Sequence, residues 1–125
     1  MNLPADLKYT SDHEWIRIEG DTVTIGITDF AQGELGDVVF VELPEVGDEF
    51  AKSDVAATIE AVKTVADVFL PVSGSIEAVN DALDDTSELI NQDAYGEGWI
   101  LKIKLSDASE LNDLMSAEDY KASIS

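Results

Sequence analysis

Apolar and polar residues alternate with a period of two through most of this chain, in short runs that end at turn residues. The runs 14–19 and 22–27 alternate in this way and are separated by Gly20-Asp21, a pattern that predicts a β-hairpin. Further runs predict strands at 38–43, 54–62, 65–70, 75–79 and 99–105. Strands that are this short and this numerous indicate a mainly β fold.

A few segments depart from the period of two and predict short helices. Thr28 precedes 29–35 and can cap a helix there, which Gly36-Asp37 would end. The stretch 80–90 is helical or irregular. After residue 105 the apolar spacing becomes helical, at Leu111, Leu114 and Met115, and Ser116 begins a second capping pattern. We therefore expect one domain over 1–125, with a β core at about 8–105 and a C-terminal helical segment at about 106–122.

The charge of the chain limits its partners. Its 27 acidic and 7 basic residues give a net charge of −20, which argues against nucleic acid and anionic membranes and favours a basic partner surface. No apolar run approaches membrane-spanning length, and the first residues do not resemble a targeting segment. We expect a monomer in the bacterial cytoplasm, or in the mitochondrial matrix if a presequence has been removed.

The chain carries little chemistry of its own. It has no cysteine, which excludes disulfides, thiolate metal sites and thiol nucleophiles, and its one histidine leaves His13 as the single candidate imidazole base. No glycine-rich phosphate loop, calcium loop or Ser-His-Asp motif is present. The residue types present therefore point to no particular reaction.

Lys63 stands apart from the other basic residues. It is the only basic residue between Lys52 and Lys102, a stretch that holds ten acids, and it lies in a tight turn between two apolar strands. A solvated lysine that keeps a hairpin polar gives the same pattern. However, Lys63-Thr64 is not a preferred two-residue hairpin turn, and an isolated amine on a rigid hairpin is well placed for covalent modification.

A series of motifs resembles the H-protein family of the glycine cleavage system, from about Leu3 to Tyr120. The motifs, in family order and spacing, are His13-Glu14-Trp15, Gly26-Ile27-Thr28, 35–47, Glu60-Ala61-Val62-Lys63, Pro71-Val72-Ser73-Gly74, Asn80 and Tyr95-Gly96-Glu97-Gly98-Trp99. The chain departs from the family pattern at Ala61, Thr64, Ser87 and Ala94. Ala61 and Thr64 lie beside Lys63, where the resemblance makes them relevant to recognition by a lipoylating enzyme.

The resemblance implies a fold and a modification. The fold is a barrel-sandwich hybrid, as in lipoyl and biotinyl carriers, with short helices that include a C-terminal segment. The lysine that matches Lys63 carries lipoate in amide linkage at a hairpin tip. The resemblance also implies that the chain is a carrier without catalytic residues of its own. We expect packing roles for Trp15 and Trp99 and a hydrogen-bonded structural role for His13.

The resemblance further implies partners. They are a lipoylating enzyme, a pyridoxal-phosphate glycine decarboxylase that loads an aminomethyl group, a tetrahydrofolate-dependent aminomethyltransferase that removes it, and an FAD-containing dihydrolipoamide dehydrogenase. Three alternatives remain open: a carrier that donates lipoate to other lipoyl domains, a biotin carrier, and an unmodified β interaction module. Methionines usually flank the lysine of a biotin carrier, whereas Val62 and Thr64 flank Lys63 here.

Two acids interrupt apolar strand patterns and are candidates for holding the loaded arm, which the family shelters in a cleft. Glu14 shares strand parity with Ile16 and Ile18, and Asp67 lies four residues from Lys63 within an apolar run. An acid on an apolar face is costly unless it is paired. We hypothesise that Glu14 and Asp67 receive the ammonium of the loaded arm. The alternative is that both are exposed at strand ends or satisfied by backbone amides.

Overall fold

A computed structural model describes residues 3–124 and consists mainly of two antiparallel β-sheets, which confirms the predicted β class. The strands are β1 (Lys8–Tyr9), β2 (Glu14–Glu19), β3 (Thr22–Ile27), β4 (Val38–Glu42), β5 (Glu49–Phe50), β6 (Val55–Ala61), β7 (Val65–Phe69), β8 (Gly74–Val79) and β9 (Leu101–Leu105). The helices are α1 (Asp29–Leu35), α2 (Ala82–Asp85), α3 (Leu89–Gln92) and α4 (Ala117–Ser123), with a 3-10 helix at Ala108–Asp113.

The two sheets share one hydrophobic core. The larger sheet has the order β1-β2-β3-β9-β8-β5, and the smaller has the order β4-β6-β7. Ile25 and Ile103 of the larger sheet lie in the same buried cluster as Ile59 and Val68 of the smaller sheet. The alternation along each strand therefore directs one set of side chains between the sheets. It leaves the other face of the smaller sheet, near Lys63, exposed to solvent.

Two local sequence signals are confirmed closely. The β2–β3 hairpin turns at Gly20, whose φ of 67° lies in the left-handed region that glycine adopts at little cost. Helix α1 begins after Thr28, whose hydroxyl oxygen accepts a hydrogen bond of 3.2 Å from the Ala31 N–H. Helix α1 ends at Gly36, whose φ is 78°. These signals set where α1 begins and ends relative to the β2–β3 hairpin.

The C-terminal segment differs in part from the prediction. Helix α4 follows Ser116 as expected, because the Ser116 side chain accepts from the Asp119 N–H. However, Leu114 and Met115 are not helical. The 3-10 helix is capped by Asp107 and ends at Asp113, and Met115 then forms a β-bridge with Tyr9. The helical spacing of the apolar residues in this segment was therefore misleading, because Met115 pairs with a distant strand.

Tyr120 fixes helix α4 against the β-sheet. Its ring is fully buried and stacks on Tyr9 with 5.0 Å between the ring centroids. Its hydroxyl lies 2.8 Å from Thr28 Oγ1 and 2.8 Å from His13 Nδ1. These contacts connect α4 to the residues before α1 and β2, next to the site. Within residues 3–124, no helix is long and apolar enough to cross a membrane.

Candidate functional site

Lys63 lies at the tip of the β6–β7 hairpin, where it is exposed. Glu60 pairs with Val65, and the Ala61 N–H donates to the Thr64 carbonyl at 2.8 Å, so the turn residues are Val62 and Lys63. The predicted turn, Lys63-Thr64, is therefore displaced by one residue. Neither Val62 nor Lys63 has a positive φ, so the turn is not of the primed types that require glycine or asparagine. This geometry explains the unusual turn sequence.

The loop after α1 supports this hairpin tip. The Val62 N–H donates to the Asp37 carbonyl with an N···O distance of 3.0 Å. The side chain of Lys63 passes over Gly36, because a Cβ at Gly36 would lie 3.3 Å from Lys63 Cε. The Lys63 amine forms no hydrogen bond or ion pair with any residue in the described range. The residue is also exposed, so its amine lies in solvent.

A cleft of about 450 Å³ opens beside the hairpin, between α1, the start of β2 and β7. Its apolar walls are formed by Ile27, Phe30, Ala31, Leu35, Ile59 and Ala66. Its polar lining is formed by Asp12, His13, Glu14, Glu34, Thr64 and Asp67. Thr64, the neighbour of Lys63, is among these residues, and so are both acids that the sequence singled out. The fold thus brings Glu14 and Asp67 to one cleft adjoining Lys63.

Glu14 is a buried acid in the wall of this cleft. Only 1% of the residue is exposed, and Oε2 has no hydrogen-bond partner among the described residues. Oε1 accepts a 3.3 Å hydrogen bond from the Thr10 hydroxyl. Burial, and secondly the negative charge of Asp12, raise the pKa of Glu14 to about 8, against the smaller opposing effects of the Phe69 amide and the Thr10 hydroxyl. The carboxyl is therefore mostly neutral at pH 7.

Asp67 has a different environment. It is exposed in the middle of β7, opposite Thr58, whose hydroxyl lies 3.5 Å from Asp67 Oδ1. On this strand Val68 faces the core, so Asp67 shares the outward parity of Lys63 and Val65. Of the two acids, only Glu14 interrupts a buried face. Asp67 instead contributes a solvated negative charge to the rim of the cleft.

The residues expected to be structural make structural contacts. His13 interacts with Tyr120 as described above, and its ring lies 5.0 Å from that of Phe30 in the cleft wall. The Trp15 indole is buried and donates to the Ala94 carbonyl at 2.8 Å. Trp99 is half-buried in the same apolar cluster. Of the three, His13 lines the cleft, whereas Trp15 and Trp99 pack in the apolar cluster that contains Tyr9 and Tyr120.

Comparison with known proteins identifies the family. The sequence model of the glycine cleavage H-protein family matches residues 7–125. The chain belongs to the glycine cleavage H-protein family. A glycine cleavage system H protein from Halothermothrix orenii is 57% identical over 120 residues, which cover 96% of this chain and 94% of that protein. One from Bacteroides thetaiotaomicron is 54% identical over 122 residues, 98% of this chain and 97% of that protein.

A solved structure supports the same assignment. The crystal structure of a glycine cleavage system H protein from Mycobacterium marinum superposes with a TM-score of 0.87 at 40% identity. The match covers 95% of this chain and 96% of that one. The resemblance and the fold expected from the sequence are thereby confirmed. Membership in the H-protein family supports a lipoyl carrier role within the glycine cleavage system and implies that other components of the system are partners.

Proposed function

We propose that this chain carries lipoate on Lys63 and transfers an aminomethyl group between the enzymes of the glycine cleavage system. The observation that carries the proposal is the position of Lys63 in a chain of this family. Its unpaired amine lies at an exposed hairpin tip, next to an apolar cleft that contains a buried, unpartnered acid oxygen. The glycine decarboxylase would load the group, the aminomethyltransferase would remove it, and the dihydrolipoamide dehydrogenase would reoxidise the carrier.

The residues present fit a lipoyl arm. Amide linkage needs an accessible amine, which Lys63 offers, and Gly36 has no side chain that would obstruct the base of the arm. Lipoate supplies a dithiolane when it is attached, which this cysteine-free chain cannot provide. The protein's own contribution is to present the arm and to shelter its cargo. The apolar cleft walls exclude water from a group that is chemically fragile.

Glu14 and Asp67 would hold the ammonium of the cargo within this cleft. A neutral Glu14 costs little in the empty cleft, and an arriving ammonium favours its ionised form, because an opposite charge lowers the pKa of a nearby carboxyl. The unpartnered Oε2 would then accept a charge-assisted hydrogen bond. Asp67 would add a negative charge at the rim. The two acids thus have distinct roles, one as a ligand inside the cleft and one as an attraction at its entrance.

Removing both acids should shorten the lifetime of the loaded carrier. We expect the double variant Glu14→Gln and Asp67→Asn to release ammonia and formaldehyde about ten- to a hundredfold faster, since a lost charge-assisted hydrogen bond costs about 1.5–3 kcal/mol. The measurement is the release rate from isolated, aminomethyl-loaded protein. The control pair is Glu77→Gln with Asp84→Asn, two exposed acids outside the cleft. An unchanged rate in the first variant would contradict the role of the two acids.

Reconstitution tests the shuttle function itself. With the three partner enzymes, glycine and tetrahydrofolate, turnover should require the lipoylated chain. The net charge of −20 should steer the encounters, so rates should fall as salt rises, mainly through the apparent KM. Equal rates at low and high salt would remove the electrostatic argument. Failure of turnover, combined with transfer of lipoate to another lipoyl domain, would favour the role of a lipoate donor.

A further inference from the structure

Side chains from the α2–α3 region hold the short loop of residues 36–38. Asn91 Nδ2 donates to the Gly36 carbonyl at 2.8 Å, and Asn91 Oδ1 accepts from the Val38 N–H at 2.9 Å. Asn91 Nδ2 also donates to Gln32 Oε1 at 3.0 Å. The carbonyl of Val38 is held by a second side chain, because the Ser87 hydroxyl donates to it at 3.3 Å. The backbone on both sides of Asp37 is therefore fixed by side chains distant in sequence.

The orientation of the Asn91 amide follows from its partners. The Gly36 carbonyl and the Gln32 oxygen accept hydrogen bonds, and the Val38 N–H donates one. Rotating the amide by 180° would place its oxygen against the Gly36 carbonyl and its NH₂ group against the Val38 N–H. One orientation satisfies all three partners, and it uses both the donor and the acceptor of the side chain.

The loop held in this way is the support of the hairpin tip. The β6–β7 ladder ends at the Ala61–Thr64 pair, and beyond it the Val62 N–H is bonded to the Asp37 carbonyl at 3.0 Å. The Lys63 side chain lies over Gly36 in the same loop. An uninterrupted series of contacts therefore runs from Asn91 through the 36–38 loop to Val62 and Lys63. The 36–38 loop therefore adds a backbone hydrogen bond and a side-chain contact to the support that the β6–β7 ladder gives this turn.

We propose that Asn91 is a positioning residue for Lys63. Through the 36–38 loop it holds the lysine in one orientation, so that the lipoylating enzyme meets a preorganised substrate. The inference rests on the proposed lipoylation of Lys63 and adds a residue that touches neither the lysine nor the arm. It assigns to α3 the task of fixing the hairpin tip.

The chain offers a matched control in Asn80. Its amide nitrogen likewise donates to two carbonyls, those of Glu97 and Trp99, each at 2.7 Å, and its oxygen accepts from the Ala82 N–H at 3.3 Å. These bonds join the ends of β8 and β9 and do not involve the 36–38 loop. Asn80→Asp should therefore lower stability without changing the hairpin tip. A purely structural role of Asn91 would give the same result for Asn91→Asp.

The experiment compares Asn91→Asp with Asn80→Asp in the full chain. Asn91→Asp keeps the acceptor for Val38 but places a carboxylate against the Gly36 carbonyl. We expect the Val62 amide to exchange with solvent about tenfold faster, which corresponds to the loss of about one hydrogen bond. We also expect a several-fold higher KM for lipoylation, with kcat changed less than about twofold. Asn80→Asp should change neither the exchange of this amide nor the KM.

Each outcome can be assigned to one cause. Lipoylation of the wild type elsewhere than Lys63, or none, overturns the proposed function and not the contacts of Asn91. Normal lipoylation of the wild type, with an unchanged Val62 amide and KM in Asn91→Asp, overturns the positioning role. If Asn91→Asp does not fold, Ser87→Ala releases the loop from its other side. Ser87→Ala should raise the exchange rate of the Val62 amide and the KM for lipoylation, each by a smaller factor than is expected for Asn91→Asp. If neither quantity changes in Ser87→Ala, the positioning role is contradicted.

Discussion

Replacing Lys63 with arginine is expected to abolish lipoylation and every partner reaction while leaving the fold intact. Arginine keeps the positive charge but offers no amine that a lipoylating enzyme can acylate. The unfolding free energy should change by less than about 0.5 kcal/mol, because Lys63 is exposed and its amine has no partner among the described residues. Intact mass after incubation with the lipoylating enzyme, together with a urea unfolding curve, measures both effects.

Two other lysines provide the controls for this substitution. Lys52 is ion-paired with Asp113 at 3.0 Å, and Lys102 lies over the Trp99 ring at 5.4 Å. Lys52→Arg and Lys102→Arg should each still gain one lipoyl group. Lipoate on Lys52 or Lys102 of the wild type would overturn the assignment of the site.

Substituting Glu14 with glutamine should remove a large pH dependence of stability. The folded-state pKa of Glu14 is raised from 4.5 to about 8. Between these two pH values the folded protein therefore retains a proton that the unfolded chain has already lost. Stability should therefore fall as pH rises from about 4.5 to about 8 and then level off. The loss is on the order of 5 kcal/mol at most. Glutamine keeps the size of the side chain but does not titrate.

Urea unfolding at pH 5 and pH 9 measures this effect. The wild type should lose more stability between the two values than Glu14→Gln does, and the difference should be several kcal/mol. Glu77→Gln, an exposed acid on β8, serves as the control and should behave like the wild type. The same pH dependence in wild type and Glu14→Gln would show that Glu14 is not buried in its neutral form.

Local signals explain why much of the fold could be predicted. The cap at Thr28 and the turn at Gly20 act on neighbouring backbone groups, so the sequence around them specifies α1 and the β2–β3 hairpin. Strands β1 and β5 were missed because two residues carry no periodicity. Their pairing partners, β2 and β8, are what make them strands.

Part of the site could also be predicted, because two of its residues stand out in the local sequence. Lys63 is conspicuous as an isolated cation in a turn, and Glu14 as an acid on a face that proves to be buried. The exposure of Asp67 depends on which face of β7 meets the core, and an interrupted apolar run does not specify that. The role of Asn91 has no sequence signal, because the backbone groups it holds lie 53 and 55 residues earlier in the chain.

The intact mass and peptide map of the protein from its native host test the central claim most directly. The account predicts a single species that is heavier than the sequence by one lipoyl group, with the added mass on the peptide that contains Lys63. A mass equal to that of the sequence, under conditions in which the host's other lipoyl proteins are modified, would contradict it. So would a biotin group on the same peptide.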